Sequence, residues 1–268
     1  MVTLTQHPSQ EKLFLTKVPQ RIVSLVPSVT ETMIEMGLMP IGRSSFCIEP
    51  HAIVEKIPRM GGTKTPNIKR IVEADPDLVI ANQEENRKED IEELQKRGLT
   101  VWVTYPSSVS DTSQLLSEMA QLAGNSKQSQ SIVSTYQDYL RASFPFKAIK
   151  TLILIWKDPY MAVGSDTYTD DLLSFSGGVN VCKEPRYPTF SVSQVQDLRP
   201  DLLILPTEPY AFGEHDIQAW RQALPQAKVI SFCGEDLFWS GLRAIKASQD
   251  LSKIFLENFG NVPYNRLD

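Results

Sequence analysis

Cys47-Ile48-Glu49-Pro50-His51 places a thiol, a carboxylate and an imidazole within five residues. Those groups are ligand types for a soft or borderline metal ion. The spacing matches no standard zinc pattern, and Pro50 interrupts any helix through it. The segment therefore reads as a packed or solvated loop, and no metal site is assigned. Glu84 and Glu208 are a second candidate, a carboxylate pair for acid–base work. Little accompanies them. The sequence has no Gly-x-Ser-x-Gly, no Walker loop and no Gly-x-Gly-x-x-Gly. Of three histidines, His7 lies in an N-terminal tail expected to be disordered and His215 in an exposed loop. Neither is placed to act as a general base, so catalysis is not expected. The richer signal is aromatic: Phe46, Tyr105, Trp156, Tyr160, Tyr187, Tyr210, Phe238 and Trp239. Such side chains offer flat apolar area at low entropic cost and stack on rings or cations.

The elements that must position these residues follow from the hydrophobic pattern. Short apolar runs alternate with amphipathic stretches, which is the α/β signature. The run at 22–26 predicts a first strand, and Ser28 with Glu31 predicts a capping box opening a helix that ends at Gly37. An internal repeat is the strongest feature. Ala74-Asp75-Pro76-Asp77-Leu78-Val79-Ile80 returns as Leu198-Arg199-Pro200-Asp201-Leu202-Leu203-Ile204. In each copy proline ends a helix, Asp makes the turn, and an apolar run enters a sheet buried on both faces. The same offset places Glu84 on Glu208. Between the halves, residues 111–123 and 126–143 predict two helices, the second long enough to run from one lobe to the other as a rigid rod. A last amphipathic helix is predicted over 242–258.

The expected fold class is thus α/β, with two Rossmann-like lobes joined by one long rigid α-helix and a ligand cleft between the lobes. The expected boundaries are 1–124 for the first lobe, 125–146 for the linking helix and 147–268 for the second lobe. Ligands in open parallel sheets bind outside the carboxyl ends of the strands. The candidate ligand-binding residues are accordingly Ser28, Phe46, Cys47, Thr63, Glu84, Glu85, Asn86, Arg87 and Tyr105 in the first lobe. In the second they are Trp156, Tyr160, Tyr187, Glu208, Tyr210 and Trp239. Glu84, Glu85 and Arg87 either bind a polar ligand or close the lobes by pairing with Lys157 or Arg186; an acid-rich helix start is the plain alternative.

A net charge of −5 with scattered basic residues excludes nucleic acid as the main partner. No run of about 20 apolar residues is present to span a bilayer. Cys47, Cys182 and Cys233 are odd in number and far apart, and read as reduced thiols.

The stretches Arg21-Ile22-Val23-Ser24-Leu25-Val26-Pro27-Ser28-Val29-Thr30-Glu31, Ile41-Gly42-Arg43-Ser44-Ser45, Gly61-Gly62-Thr63, both Pro-Asp-Leu strands, Gly177-Gly178-Val179-Asn180-Val181 and Arg186-Tyr187-Pro188 run in order along nearly the whole chain. In this respect the sequence resembles the helical-backbone (class III) substrate-binding proteins of cobalamin and ferric-siderophore ABC importers. That resemblance implies a non-enzymatic protein holding a corrinoid, cobalamin-like, or an iron chelate as its ligand, with no covalent cofactor. It implies aromatic contacts to a corrin ring from Phe46, Tyr160 and Tyr187, whereas Thr63 and Asn82 stand where cobalamin binders have tryptophan. The family docks on an ABC permease through an acidic residue on each lobe. The aligned position in the first lobe is Lys69, and near Ser240-Gly241 in the second no acid is found. Gln83-Glu84-Glu85-Asn86-Arg87 resembles a stretch of signal-less members, and residues 1–20 show no export signal. The expectation is a cytoplasmic, signal-less relative, the alternative being a periplasmic or surface-anchored protein whose signal was removed. A corrinoid- or chelate-handling enzyme, or a regulatory protein, on the same scaffold is the functional alternative.

Overall fold

The computed structural model describes residues 1–142 and 149–260. They divide into two compact units, Met1–Pro106 with Ser110–Asp138, and Ser107–Val109 with the described residues from Tyr139 onward. The first unit opens with a hairpin of β1 (Val2–Thr5) and β2 (Lys12–Leu15). There follow β3 (Ile22–Ser24), α1 (Pro27–Glu35), β4 (Gly42–Arg43), α2 (His51–Val54), α3 (Ile68–Glu73), β5 (Leu78–Asn82), α4 (Lys88–Lys96), β6 (Val101–Thr104), α5 (Val109–Leu122) and α6 (Lys127–Leu140). Strands β4, β3, β5 and β6 form a sheet in that order, and every pair is parallel. All their central residues are buried, which is why the strands read as unbroken apolar runs and do not alternate.

The second unit contains β7 (Ile149–Trp156), β8 (Tyr160–Ala162), α7 (Tyr168–Phe175), β9 (Gly178–Asn180), β10 (Thr189–Phe190), α8 (Val192–Leu198), β11 (Leu202–Pro206), α9 (Glu214–Ala223), β12 (Lys228–Phe232), α10 (Gly234–Phe238) and α11 (Arg243–Phe259). Its sheet runs β10-β8-β7-β11-β12, with β9 also on β7. The pairs β9–β7, β7–β11 and β11–β12 are parallel; β7–β8 and β8–β10 are antiparallel.

The sequence repeat is a structural repeat. An offset of 124 carries β5 onto β11 residue for residue, since 78 + 124 = 202 and 82 + 124 = 206. It also carries Asp75 onto Arg199, both in the left-handed region at φ 45° and 46°. The two aspartates do more than turn the chain. Asp77 Oδ2 accepts from the backbone N–H of Gln20 at 2.8 Å and of Arg21 at 2.9 Å, and Asp201 Oδ2 accepts from that of Lys150 at 3.2 Å. Each carboxylate thus pins the start of its strand to the start of the neighbouring one. These bonds hold the Asp77 carboxyl below its ordinary pKa. Asp77→Ala is expected to destabilise by about 1 kcal/mol after discounting for the exposure of the group, and Asp201→Ala by less. Urea denaturation measures both, and equal costs would contradict the two-bond against one-bond difference.

Three sequence expectations change. Ser28 does not cap α1: the N-cap is Val26, Pro27 occupies the first helical position, and no side chain caps the end. A proline with its φ already set and no N–H to satisfy starts the helix instead. The helix expected over 126–143 is the 14-residue α6, whose residues through Asp138 cluster with the first unit; residues 143–146 of the expected link lie outside the described residues. Finally, the N-terminal segment is ordered. The Gln6 side chain acts as a further strand on β6, donating to Val101 O at 2.7 Å and accepting from Val103 N at 2.8 Å. Trp102 Nε1 donates to Thr5 O at 2.9 Å. The hairpin therefore covers the open edge of the first sheet, as an exposed edge demands.

Candidate ligand-binding site

Parallel pairing fixes where chemistry can gather in each unit. In the first, Ser24 is in register with Ile80 and with Arg43, and Asn82 with Thr104. The segments after β3, β4, β5 and β6 therefore leave one edge of one sheet. They carry Ser28, Phe46, Glu84, Glu85 and Tyr105 there. In the second unit the same holds for the segments after β7, β11 and β12.

Phe46 is 60 % exposed although it is large and apolar, and Trp156 is 42 % exposed. Phe46 follows β4 in the first unit, and Trp156 is the last residue of β7 in the second. The tip of Phe46 lies close to Gly62, where an added Cβ would stand 3.4 Å from the ring. Trp156 meets Tyr210 edge to face at 5.7 Å, and Tyr210 meets Phe212 at 4.7 Å. Tyr160, half-buried, stands edge to face on Trp220 at 4.9 Å. Tyr187 carries the Arg186 guanidinium over its ring at 5.3 Å. The second unit thus carries two sets of packed rings near its strand ends, Trp156–Tyr210–Phe212 and Tyr160–Trp220, with Trp156 the exposed member. Tyr105 is half-buried, and the His7 ring stands edge-on to it at 6.1 Å. Loss of solvent lowers the His7 pKa, outweighing the pull of Glu118 and Asp111, so the ring is neutral at pH 7.

The polar loop after β5 is held by its own asparagines. Asn82 Oδ1 accepts from Glu84 N at 2.8 Å and Glu85 N at 3.2 Å, an Asx-type turn. Asn86 Oδ1 accepts from Asn82 N at 2.8 Å, and its Nδ2 donates to Thr63 O at 2.9 Å. This leaves Glu84 and Glu85 half-buried at the turn. Desolvation raises the Glu85 pKa, with Lys64 opposing it.

Several candidates are corrected. Cys47 is fully buried, with Thr30 Oγ1 at 3.0 Å and Ser44 Oγ at 3.5 Å from its sulfur. Burial pushes its thiol pKa up despite those hydroxyls. It is a core residue, and His51 points away from it toward Glu55 on the surface. Asn86 and Thr63 are buried and form the loop's clamp. Arg87 folds back on its own helix, its Nε donating to Asp90 Oδ2 at 2.9 Å. Trp239 is 6 % exposed and packs under the Arg243 guanidinium, 5.0 Å from its ring. Glu208 stays at the end of β11, half-buried, with its backbone and Cγ against Gly234. Lys157 pairs with Asp216 at 2.6 Å and Arg186 donates to Asp166 O at 2.8 Å, so neither of those bonds goes to the β5 loop. The sequence reading missed His7 and the Lys157–Asp216 pair; for the pair, the only signal was a lysine directly after a strand.

Two α/β units with exposed aromatic residues and short polar turns at their strand ends have the form of a substrate-binding protein. The comparisons with known proteins agree. A family model described as periplasmic binding protein matches residues 22–204, and the chain belongs to this family. It is 28% identical over 182 residues to a vitamin B12-binding protein of Salmonella choleraesuis, covering 66% of this chain and 68% of that one. It is 24% identical over 220 residues to a vitamin B12-binding protein of Vibrio parahaemolyticus, covering 77% of each. Among solved structures, the fold matches a periplasmic vitamin B12 binding protein of Vibrio cholerae with a TM-score of 0.79 at 21% identity, covering 91% of this chain and 99% of that one. It also matches a periplasmic heme binding protein of Pseudomonas aeruginosa with a TM-score of 0.79 at 19% identity, covering 92% and 95%.

These relatives overturn the cytoplasmic expectation and point to the periplasm. The thiols do not oppose that location. Cys47 and Cys182 are buried, and burial, with the carboxylates nearby, pushes the Cys233 thiol to about 11, so none is poised to oxidise. Among the described residues no helix is long and apolar enough to cross a membrane.

Proposed function

We propose that this chain captures a corrinoid, or failing that an iron chelate of tetrapyrrole type, and delivers it to an ABC permease. The observation that carries this reading is the pair of large aromatics left in solvent at strand ends, Phe46 and Trp156. Singly exposed apolar residues are ordinary on a protein surface; these two count because they stand at the carboxyl ends of parallel strands, where ligands of such sheets bind. A flat ring system would cover either ring. Relatives named for vitamin B12 and heme favour ligands of that shape. Tyr105, Tyr160, Tyr187 and Tyr210 extend the apolar contact, and Ser28, Glu84, Glu85 and Glu208 supply polar contacts at its margin. The permease contact differs from the paired-acid pattern of the class, because Lys69 is exposed on α3 and pairs with Glu73 at 3.8 Å.

The test is an absorption titration of the purified protein with cyanocobalamin and with hemin. At least one spectrum shifts saturably at one equivalent. Trp156→Ala and Phe46→Ala each weaken that binding roughly tenfold or more, the cost of one stacked aromatic. Saturable binding that neither substitution weakens would move the ligand away from these residues and sink the reading.

A further inference from the structure

Lys157 directly follows Trp156 at the end of β7. Its ammonium donates to Asp216 Oδ1 at 2.6 Å, its one hydrogen bond among the described residues. An ammonium has three donors. Two remain, and the side chain keeps 26 % of its exposure. The phenols of Tyr160 and Tyr210 are near enough to interact with its charge. The cation therefore stands beside Trp156, within electrostatic reach of Tyr160 and Tyr210, and is held there by a buried acid.

Asp216 is already committed elsewhere. Its Oδ2 accepts from Gly213 N at 3.0 Å, closing the start of α9, and the carboxylate is 8 % exposed. The positive end of that helix shares its negative charge. The ion pair thus fixes the ammonium in place without using up its hydrogen-bonding capacity or fully cancelling its field. The other acids of these strand ends are the exposed Asp158, the half-buried Glu208, with its Cγ against Gly234, and, after β12, Glu235 and the Asp236 that pairs with Arg243 and Lys246.

We infer that Lys157 is a specificity-determining residue that anchors an acidic substituent, a carboxylate or a phosphodiester, carried on the edge of a ring ligand stacked against Trp156. This rests on the ring-binding reading above and narrows it: the ligand class is a ring compound bearing an anionic group, and a neutral analogue binds less well. A charge-assisted bond of this kind corresponds to a roughly ten- to hundredfold difference in affinity.

The experiment titrates the whole chain with four probes by absorption and tryptophan quenching: hemin, its dimethyl ester, cyanocobalamin, and dicyanocobinamide, which lacks the nucleotide loop with its phosphodiester. The wild type is expected to prefer the acidic member of at least one pair ten- to hundredfold. A preference confined to the hemin pair assigns a carboxylate, and one confined to the corrinoid pair assigns the phosphodiester where it is lost with the lysine charge, the base and ribose of the loop where it is not. Lys157→Met removes the preference and leaves the neutral member bound as before, whereas Lys157→Arg keeps it. Should Lys157→Met unfold because Asp216 is left unpaired, the double variant Lys157→Met/Asp216→Asn removes that cost and carries the same expectation. Ring binding with an acid preference that survives loss of the lysine, or with no acid preference in the wild type, overturns the inference alone. Failure of all four probes to bind the wild type overturns the ring-binding reading and this inference with it.

Discussion

Gly164→Ala is expected to cost about 3 kcal/mol, the upper range for forcing an extra methyl into packed surroundings, and to abolish the presentation of Tyr187. The site tolerates no Cβ. It would overlap the carbonyl oxygen of Glu184, stand 2.8 Å from that of Arg186, and meet Pro188 Cδ at 3.1 Å. Two of those atoms are backbone, so no rotamer change relieves the contact. The chain approaches this closely because it is clasped on both sides. Gly164 N donates to Arg186 O at 2.7 Å, Ser165 N to Glu184 O at 2.8 Å, Arg186 N to Ser165 O at 2.8 Å, and Ala162 N to Pro188 O at 2.9 Å. Tyr187 sits inside that clasp, next to Arg186 at φ 65°. Relief of the overlap must therefore move the segment that carries the ring. Ligand affinity is expected to fall at least as far as in Tyr187→Ala, and thermal stability further, because Tyr187→Ala removes a half-buried ring and leaves the clasp intact. Thermal unfolding and ligand titration of the two variants decide it. A Gly164→Ala protein with wild-type stability would mean that the clasp yields freely.

The residues that made the fold legible are those whose neighbours in sequence are also their partners in structure. Pro76-Asp77-Leu78 and Pro200-Asp201-Leu202 announce two copies of one helix–turn–strand unit because the break, the turn and the apolar run are contiguous. The edge proposed for the site follows, since parallel strands of matched register must release their loops on one edge. What failed was set by distant partners. Nothing local to Cys47 shows that Thr30, 17 residues earlier, closes over it, or that Asn86 spends its amide on Thr63 O, 23 residues away. The hairpin β1–β2 has only four residues per strand and gains its order from β6, some 95 residues on. Lys157 finds Asp216 across 59 residues. Loops at strand ends were correctly placed, but which of their side chains turn inward is a tertiary decision that hydrophobicity alone does not encode. Trp239 illustrates it, being an aromatic expected at a strand end that instead closes α10 and becomes core under Arg243.

Asp236→Asn is expected to destabilise the protein by about 3 kcal/mol at neutral pH, the lower range for breaking a buried ion pair. The carboxylate is 1 % exposed. Arg243 Nη1 donates to Oδ1 at 2.7 Å and Lys246 Nζ donates to Oδ2, tying α10 to α11. The lower range applies because Lys246 is 61 % exposed and keeps most of its hydration when its partner is neutralised, whereas Arg243, at 20 %, does not. Burial by itself would raise the pKa of Asp236, but the bonds from Lys246 and Arg243 outweigh it and the net shift is downward. A carboxyl whose folded pKa lies below its unfolded value stabilises fully above the unfolded value and loses that contribution as pH falls through the folded one. The gap between wild type and Asp236→Asn should therefore be constant from neutral pH down to the ordinary carboxylate range of about 4. Below it the wild type loses stability that the variant never had, and the gap closes. Asp216, whose pKa is also held down by its bond to Lys157, titrates in the same direction in both proteins and cancels from the difference. Urea denaturation of the pair from neutral to acid pH reads the gap directly. A gap of undiminished size below the carboxylate range would show that the loss in the variant comes from packing and not from the charge.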